Sequence, residues 1–184
     1  MGLIYLSLYL FCVFVAIGGG LYAAYSDAKI MQIPNSVVLL VAGAFVLVSG
    51  VVFLADVAVM DSFLKHLAAG GVMLAITFVM FILRVFGGGD AKLIAAYALW
   101  VGLSGMVTFL FYTAVFGAML GVFALIVTKK KPFKKPLDGS WIDRLQKGER
   151  RVAYGIAIAA GMIVSFIGEG YLAKDTLLQF LTMS

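Results

Sequence analysis

The sequence contains few of the side chains on which most catalytic and metal-binding sites depend. Its 184 residues include one cysteine, Cys12, and one histidine, His66. A single cysteine excludes an intrachain disulfide and a paired-cysteine metal site. Cys12 lies inside the first apolar run, where packing is its expected role. We interpret His66, which follows Asp61 and Lys65, as a residue at the membrane interface, so serine–histidine or cysteine–histidine catalysis is not expected.

Charged residues are also scarce, and this scarcity identifies the solvent. They make up 12% of the chain, whereas hydrophobic residues make up 64% and the mean hydropathy is +1.10. Soluble domains are about half apolar and about a quarter charged. No water-soluble fold of this length can bury so much apolar surface, so the lipid bilayer must be part of the solvent. Because no polar stretch is long enough for a second domain, the sequence predicts one membrane-embedded domain over residues 1–184.

The lengths of the apolar runs predict an all-α fold, a polytopic integral membrane protein with six transmembrane helices. The run from Leu3 to Tyr25 lacks a basic start and is too long for a signal peptide. The run from Leu93 to Val127 is too long for one helix of about 20 residues, and a break is expected at Gly102–Gly105. The predicted spans are about 3–25, 36–55, 67–86, 91–102, 106–127 and 152–170, with a polar loop at about 128–151 and a short non-spanning tail at 171–184.

Basic residues predict which side of the membrane each loop occupies. Six spans place twelve lysines and arginines on one side and only Lys65 and Lys174 on the other. Since cytoplasmic loops are enriched in basic residues, the basic side is expected to be cytoplasmic and both termini to be periplasmic or extracellular. Most of the net charge of +5 lies between Lys129 and Arg151, so it indicates topology, and no nucleic-acid partner is expected.

Two aspartates, Asp27 and Asp90, lie where apolar runs end on the predicted cytoplasmic side. Carboxylates at a membrane boundary are costly, and they usually have a function or a partner. The three glycines Gly87–Gly89 precede Asp90 and would let another backbone approach closely. Taken singly, Asp90 could be a helix cap, and Asp27 could cap a turn or pair with Lys29. Two carboxylates on one face, each beside a chain break, are harder to explain as two independent caps.

A pair of carboxylates can perform acid–base hydrolysis. Two close carboxylates cannot both ionise cheaply, so they share a proton. The ionised member takes a proton from water, and the neutral member donates one to the carbonyl oxygen of the scissile bond. The predicted span at 91–102 covers about 18 Å of a hydrocarbon core about 30 Å thick, which implies a thinned or water-filled notch where water reaches Asp90.

Three segments carry motifs that extend beyond the two aspartates. The string GGGDAKLIAAYALWVG, which begins at Gly87, resembles the GxGD segment of the type IV prepilin peptidases. Asp27 followed by Ile33-Pro34-Asn35 resembles the D-x5-I-P-N segment that carries the family's first aspartate. The stretch Tyr154–Gly161 resembles the last helix of the family, although Ala153 stands where the family usually has proline.

The resemblance implies an aspartyl endopeptidase of the bacterial inner membrane, which removes the leader peptide of prepilins or pseudopilins on the cytoplasmic side. Asp27 and Asp90 would be the catalytic pair, without a metal or a cofactor. The supporting motif residues would be Gly87, Gly88, Gly89, Lys92, Ile33, Pro34 and Asn35. The chain lacks the paired Cys-x-x-Cys domain of the larger members, so it resembles the short, peptidase-only forms such as those of Flp-type pili. The resemblance therefore does not extend to methylation of the new N-terminus.

The expected partners are a prepilin or pseudopilin helix and the lipid bilayer. Gly117 and Gly121 form a small-residue pattern that could pack helices within this molecule or between two copies of a homo-oligomer. Lys92 would be either a membrane anchor or a partner of a carboxylate or of the substrate. The run Lys129–Lys135 is interpreted as an anchor on anionic lipid.

Ser140 is expected to open a short helix in the polar loop. Its apolar face would consist of Trp141, Ile142 and Leu145. This face would lie among the lipid headgroups, and a lid over the site is the alternative.

Two other functions remain open from the sequence. An intramembrane aspartyl protease similar to presenilin or signal peptide peptidase is disfavoured by the small size of the chain and by the position of Asp90 before its helix. A non-catalytic membrane scaffold of a pilus or secretion assembly would use Asp27 and Asp90 as ion-pair or cap residues. In that case amide replacements at the two positions would leave function nearly intact.

Overall fold

The computed structural model describes residues 1–182, and every regular element in that range is an α-helix. The helices are α1 (Gly2–Ile30), α2 (Asn35–Ala55), α3 (Phe63–Ile82), α4 (Gly88–Lys130), α5 (Trp141–Gln146), α6 (Tyr154–Gly168) and α7 (Lys174–Leu181). The prediction of an all-α fold is confirmed for these residues.

Within residues 1–182, four helices, α1 to α4, are long and apolar enough to cross a membrane. Large apolar side chains on them remain exposed, including Phe14, Leu47, Phe78 and Val122, as lipid contact requires. Helix α6 is apolar but has only 15 residues, which cover about 22 Å of a core about 30 Å thick. The chain is therefore a polytopic helical membrane protein with four spans identified by length and composition, compared with six expected from the sequence.

Helix α4 contains a sharp bend at Gly102, inside the segment where the sequence predicts a break. Gly102 has φ 63° and ψ −170°, a combination that is essentially restricted to glycine. An added Cβ would also lie 2.9 Å from Cε1 of His66. The bend divides α4 into an arm at 88–101 and an arm at 103–130, without a separate connecting loop.

His66 differs from the expectation of an interfacial residue. Its side chain is buried, and its Nδ1 donates a hydrogen bond of 2.7 Å to the carbonyl oxygen of Leu99. Leu99 lies in the last turn before the bend at Gly102. The histidine therefore supports the end of the first arm of α4, and its burial depends on a tertiary contact that hydropathy does not reveal.

Replacing Gly102 by alanine is expected to destabilise the protein by about 1–3 kcal/mol, because the backbone conformation excludes a side chain and the His66 ring occupies the space. The measurement is the apparent Tm in detergent. Gly121→Ala is the matched control, since an added Cβ at Gly121 meets nothing within 4 Å. Equal Tm values for the two variants would contradict this interpretation of the bend.

The first arm of α4 forms the centre of the bundle. Its buried side chains include Leu93, Ile94, Tyr97, Trp100 and Val101. The hydroxyl of Tyr97 donates 2.7 Å to the carbonyl oxygen of Ala16 in α1, and Nε1 of Trp100 donates 3.0 Å to the carbonyl oxygen of Val41 in α2. These bonds satisfy polar groups inside an apolar core, and they fix the position of Asp90 at the start of the same arm.

Helix α3 begins and ends four residues before the predicted span at 67–86. The chain then turns through Leu83–Gly87, with Arg84 at φ 59°. Two backbone hydrogen bonds of 2.9 Å close the turn, from Arg84 N–H to the carbonyl of Phe81 and from Val85 N–H to the carbonyl of Met80. The early end of α3 leaves a short turn directly before α4, in which Arg84 is the one charged residue.

The polar loop packs on the protein. The Ser140 hydroxyl accepts a hydrogen bond of 3.3 Å from Asp143 N–H, so Ser140 caps α5 as expected. Trp141 and Leu145 are buried against the second arm of α4, and Nε1 of Trp141 donates 2.9 Å to the carbonyl oxygen of Arg151. These two apolar side chains therefore do not lie among headgroups, and they hold the loop that leads into α6.

An ion pair of 2.7 Å joins Lys147 to Asp143 in the same loop. Its hydrogen bond, with a second one from Gly139 N–H, holds the pKa of Asp143 below its ordinary value.

The tail after α6 contains helix α7, which packs on α1. Phe180 is buried, with its ring centre 4.9 Å from that of Tyr9. The last two residues of the tail lie outside the described range.

Candidate active site

Asp27 and Asp90 line the same cavity, of about 880 Å³. The cavity lies between the end of α1, the turn before α4, the start of α4 and the segment that leads into α6. The structure therefore brings together the two aspartates, which are separated by 63 positions in the sequence.

Asp27 is held by the N-terminus of another helix. It is buried in the last turn of α1, and its Oδ2 accepts a hydrogen bond of 2.8 Å from Gly155 N–H in the first turn of α6. The C-terminal end of a helix disfavours a negative charge, whereas the N-terminal end favours one. Helix α6 therefore offsets the unfavourable position that Asp27 has on its own helix.

The two structural explanations for Asp27 alone do not apply. Lys29 Nζ lies 3.1 Å from the hydroxyl of Tyr25, and it makes no ion pair with Asp27. The turn after α1 is held instead by the Ser26 hydroxyl, which donates 2.8 Å to the carbonyl oxygen of Gln32. The Asp27 side chain thus crosses to α6 rather than capping its own turn.

Asp90 does act in part as a helix cap. It is the third residue of α4, and its Oδ2 accepts a hydrogen bond of 3.2 Å from Gly87 N–H. The helix begins at Gly88, so Asp90 caps it from the first turn rather than from the N-cap position. Among the described residues, Oδ1 of Asp90 and Oδ1 of Asp27 have no hydrogen-bond partner. Each carboxyl therefore has one oxygen fixed by a backbone N–H and one available for chemistry.

The three glycines before Asp90 lie in close contact with other residues of the protein. An added Cβ would lie 3.0 Å from the Cβ of Ile33 at Gly89, 3.3 Å from the ring of Phe81 at Gly88, and 2.8 Å from Oδ2 of Asp90 at Gly87. The sequence suggests that these glycines admit a substrate backbone. The structure shows that they admit neighbouring residues, and Gly89 brings the Ile33 segment against the start of α4.

Lys92 links the two aspartate-containing segments. Its Nζ donates 3.1 Å to Oδ1 of Asn35, the first residue of α2, directly after Pro34. Neither Asp27 nor Asp90 forms an ion pair with Lys92 among the described residues. Lys92 therefore joins α2 to α4 through Asn35, and its expected roles as a membrane anchor or as a partner of the substrate stay predictions.

The cavity also contains residues that the sequence does not identify as functional. Tyr154 forms part of the wall, with its ring centre 5.3 Å from that of Phe86. Arg84, Arg150 and Arg151 line the same cavity. From the sequence alone, these arginines are used only to predict which side of the membrane each loop occupies. The sequence gives one indication that Gly155 matters, which is its position in the stretch that resembles the last helix of the family.

No group of three or more His, Cys, Asp and Glu side chains in residues 1–182 is arranged to hold a metal ion. The small-residue pattern at Gly117 and Gly121 has one member packed inside the molecule. An added Cβ at Gly117 would lie 2.5 Å from the ring of Tyr154.

Comparison with known families identifies the chain. The model of the type IV leader peptidase family matches residues 14–122, more than half of the 184 residues. The matched range contains both Asp27 and Asp90, and it ends before α5. No curated protein and no solved structure matches the chain significantly. The resemblance drawn from the sequence motifs is confirmed, and the chain belongs to the type IV leader peptidase family of membrane-bound peptidases.

Proposed function

We propose that this protein is an aspartyl endopeptidase that removes the leader peptide of type IV prepilins or pseudopilins at the cytoplasmic face of the bacterial inner membrane. The family supplies the peptidase class. The observation that carries the aspartyl mechanism is that Asp27 and Asp90, from different helices, line one cavity, each with one carboxyl oxygen free of hydrogen bonds to described residues.

In the proposed reaction the two carboxyls share one proton. The ionised carboxyl takes a proton from a water molecule, whose oxygen then attacks the carbonyl carbon of the scissile peptide bond. The protonated carboxyl donates its proton to the carbonyl oxygen. The carboxyl that took the proton from water then donates it to the leaving amine nitrogen, and the other carboxyl takes a proton back from a hydroxyl of the tetrahedral intermediate. The C–N bond breaks, and the pair again shares one proton. Helix α6 supports the ionised state of Asp27 through Gly155 N–H.

The proposed topology has six spans, with the two arms of α4 counted separately and α6 as the last. The cavity then lies at the cytoplasmic end of the bundle, where the turn at Arg84 and the polar loop after α4 carry basic residues. A substrate whose leader adjoins a membrane helix would present its scissile bond at this boundary. This arrangement supports an active site at the membrane surface.

The proposal is tested by placing the purified protein in vesicles with prepilins, including Flp-type prepilins, and identifying the products by mass spectrometry. The expected result is a shortened pilin, cut at one bond between the leader and the hydrophobic segment. If the purified protein cuts none of the prepilins, a non-catalytic membrane scaffold becomes the better interpretation of its function.

A further inference from the structure

The cavity that contains the two aspartates has a positively charged rim. We define the arginine rim as Arg84, Arg150 and Arg151, all of which line the cavity with exposed side chains. Arg84 lies in the turn between α3 and α4, and the other two lie in the segment before α6. Two distant parts of the chain therefore bring positive charge to the same opening.

The arginine rim has no internal counter-ion among the described residues. The ion pairs in that range join Lys65 to Asp61, Arg144 to Glu149 and Lys147 to Asp143. Asp27 and Asp90 line the cavity with the rim but pair with none of its arginines. Three positive charges thus face at most two negative ones, and only one when the aspartates share a proton. The cavity consequently attracts an anionic group.

Hydrogen bonds hold the backbone at two of the three rim residues, Arg84 and Arg151. Arg84 occupies the left-handed region at φ 59°, which is uncommon for a residue other than glycine, and hydrogen bonds close the turn around it. The carbonyl oxygen of Arg151 is held by Nε1 of Trp141 at 2.9 Å. A residue that only sets topology needs no fixed position, and the run Lys129–Lys135 already provides such charge.

We propose that the arginine rim binds an acidic side chain of the substrate polypeptide close to its scissile bond. This inference rests on the proposed function. A guanidinium group matches a carboxylate in a bidentate geometry, and a charge pair beside the reacting bond sets the register of an extended peptide. A lipid headgroup is less compatible with the rim, because it would occupy the cavity where water and the scissile bond must meet.

The experiment compares native protein with Arg84→Gln, Arg150→Gln, Arg151→Gln and the triple variant. The substrates are a prepilin that native protein cleaves and versions of it in which each acidic residue near the cleavage site is replaced by its amide. We expect kcat/KM to fall about fivefold per removed charge, the size expected for a partly exposed ion pair. With one of the amide substrates, native protein and rim variants should have the same kcat/KM. In a double-mutant cycle this result shows that the rim acts through that acidic residue.

Lys135→Gln is the matched control, since it removes one exposed positive charge outside the cavity, and it should cleave at the native rate. Replacing all three arginines by lysine should restore only part of the lost activity, because lysine keeps the charge but not the bidentate geometry. The proposal would be overturned if the rim substitutions lowered kcat/KM by the same factor for every amide substrate as for the unchanged prepilin. A loss that appears only in vesicles containing phosphatidylglycerol and not in vesicles of neutral lipid would also overturn it, because that result would assign the rim to lipid.

Binding separates this proposal from the proposed function. The Kd of a prepilin, chosen whether or not it is cleaved, is measured for Asp90→Asn protein, with and without the rim substitutions. If binding depends on the rim and on an acidic residue of the prepilin while native protein never cleaves, the proposed function fails and the binding of an acidic side chain by the rim stands. If native protein cleaves but neither binding nor cleavage depends on the rim, the rim proposal fails and the proposed function stands.

Discussion

Replacing either Asp27 or Asp90 by asparagine is expected to lower leader cleavage by about a thousandfold or more. The amide preserves the size of the side chain, and its oxygen can still accept the hydrogen bond from Gly155 N–H or Gly87 N–H. It cannot exchange a proton with water or with the scissile carbonyl. Because the two carboxyls act as one unit, the double variant should be no worse than either single variant.

The measurement is the fraction of a co-expressed prepilin that is shortened in membranes, followed by initial rates in vesicles. Asp56→Asn is the matched control, because Asp56 follows the far end of α2, about 30 Å along that helix from Asn35. Asparagine also tolerates the left-handed conformation of Asp56, at φ 50°. An inserted Asp27→Asn or Asp90→Asn protein that cleaves at the native rate would disprove the pair.

Much of this arrangement could be predicted from local sequence. The length of the apolar run and Pro34 place the start of α2 within one residue of the structure. Glycines inside an overlong apolar run predict the bend at Gly102. Counting spans puts Asp27 and Asp90 at the same end of the bundle. Each of these inferences uses residues that are neighbours in the chain, where hydropathy and backbone preference are informative.

The contacts that complete the site join distant residues, and the sequence does not indicate them. The hydrogen bond from Gly155 to Asp27 spans 128 positions. His66 reads as interfacial because Asp61 and Lys65 precede it, whereas its partner is a carbonyl at Leu99, 33 positions away. Arg84 is ambiguous for another reason. An arginine beside a membrane segment has the same effect on membrane orientation wherever its side chain lies, so its presence in the sequence does not show that it lines a cavity.

The start of α3 shows how charge can mislead a hydropathy argument. The predicted span begins at 67, directly after Lys65 and His66, but the helix begins at Phe63. Lys65 is exposed and pairs with Asp61 at 3.4 Å, so its charge reaches water from the first turn. His66 turns into the protein and is satisfied on one nitrogen by Leu99. A polar residue near a membrane boundary therefore does not fix where a helix begins.

The second large effect is expected for Gly155→Ala, which should lower kcat by about tenfold to a hundredfold. An added Cβ at this position would lie 3.1 Å from the Cβ of Asp27 and 3.2 Å from its Oδ2. Either the start of α6 or the Asp27 side chain must move, and both carry the hydrogen bond of 2.8 Å that holds the carboxyl. A displacement of several tenths of an ångström at a reacting group is enough for a loss of this size.

The same substitution should leave the protein folded, since overpacking one site costs about 1–3 kcal/mol. Gly168→Ala, at the other end of α6, is the matched control because its added Cβ meets nothing within 4 Å. The decisive readout is kcat and KM measured separately, together with the apparent Tm. A lower kcat at unchanged KM identifies a misplaced Asp27, whereas a native kcat for Gly155→Ala would mean that the contact with α6 does not position the carboxyl. A loss shared equally by Gly168→Ala would instead assign the effect to the helix as a whole.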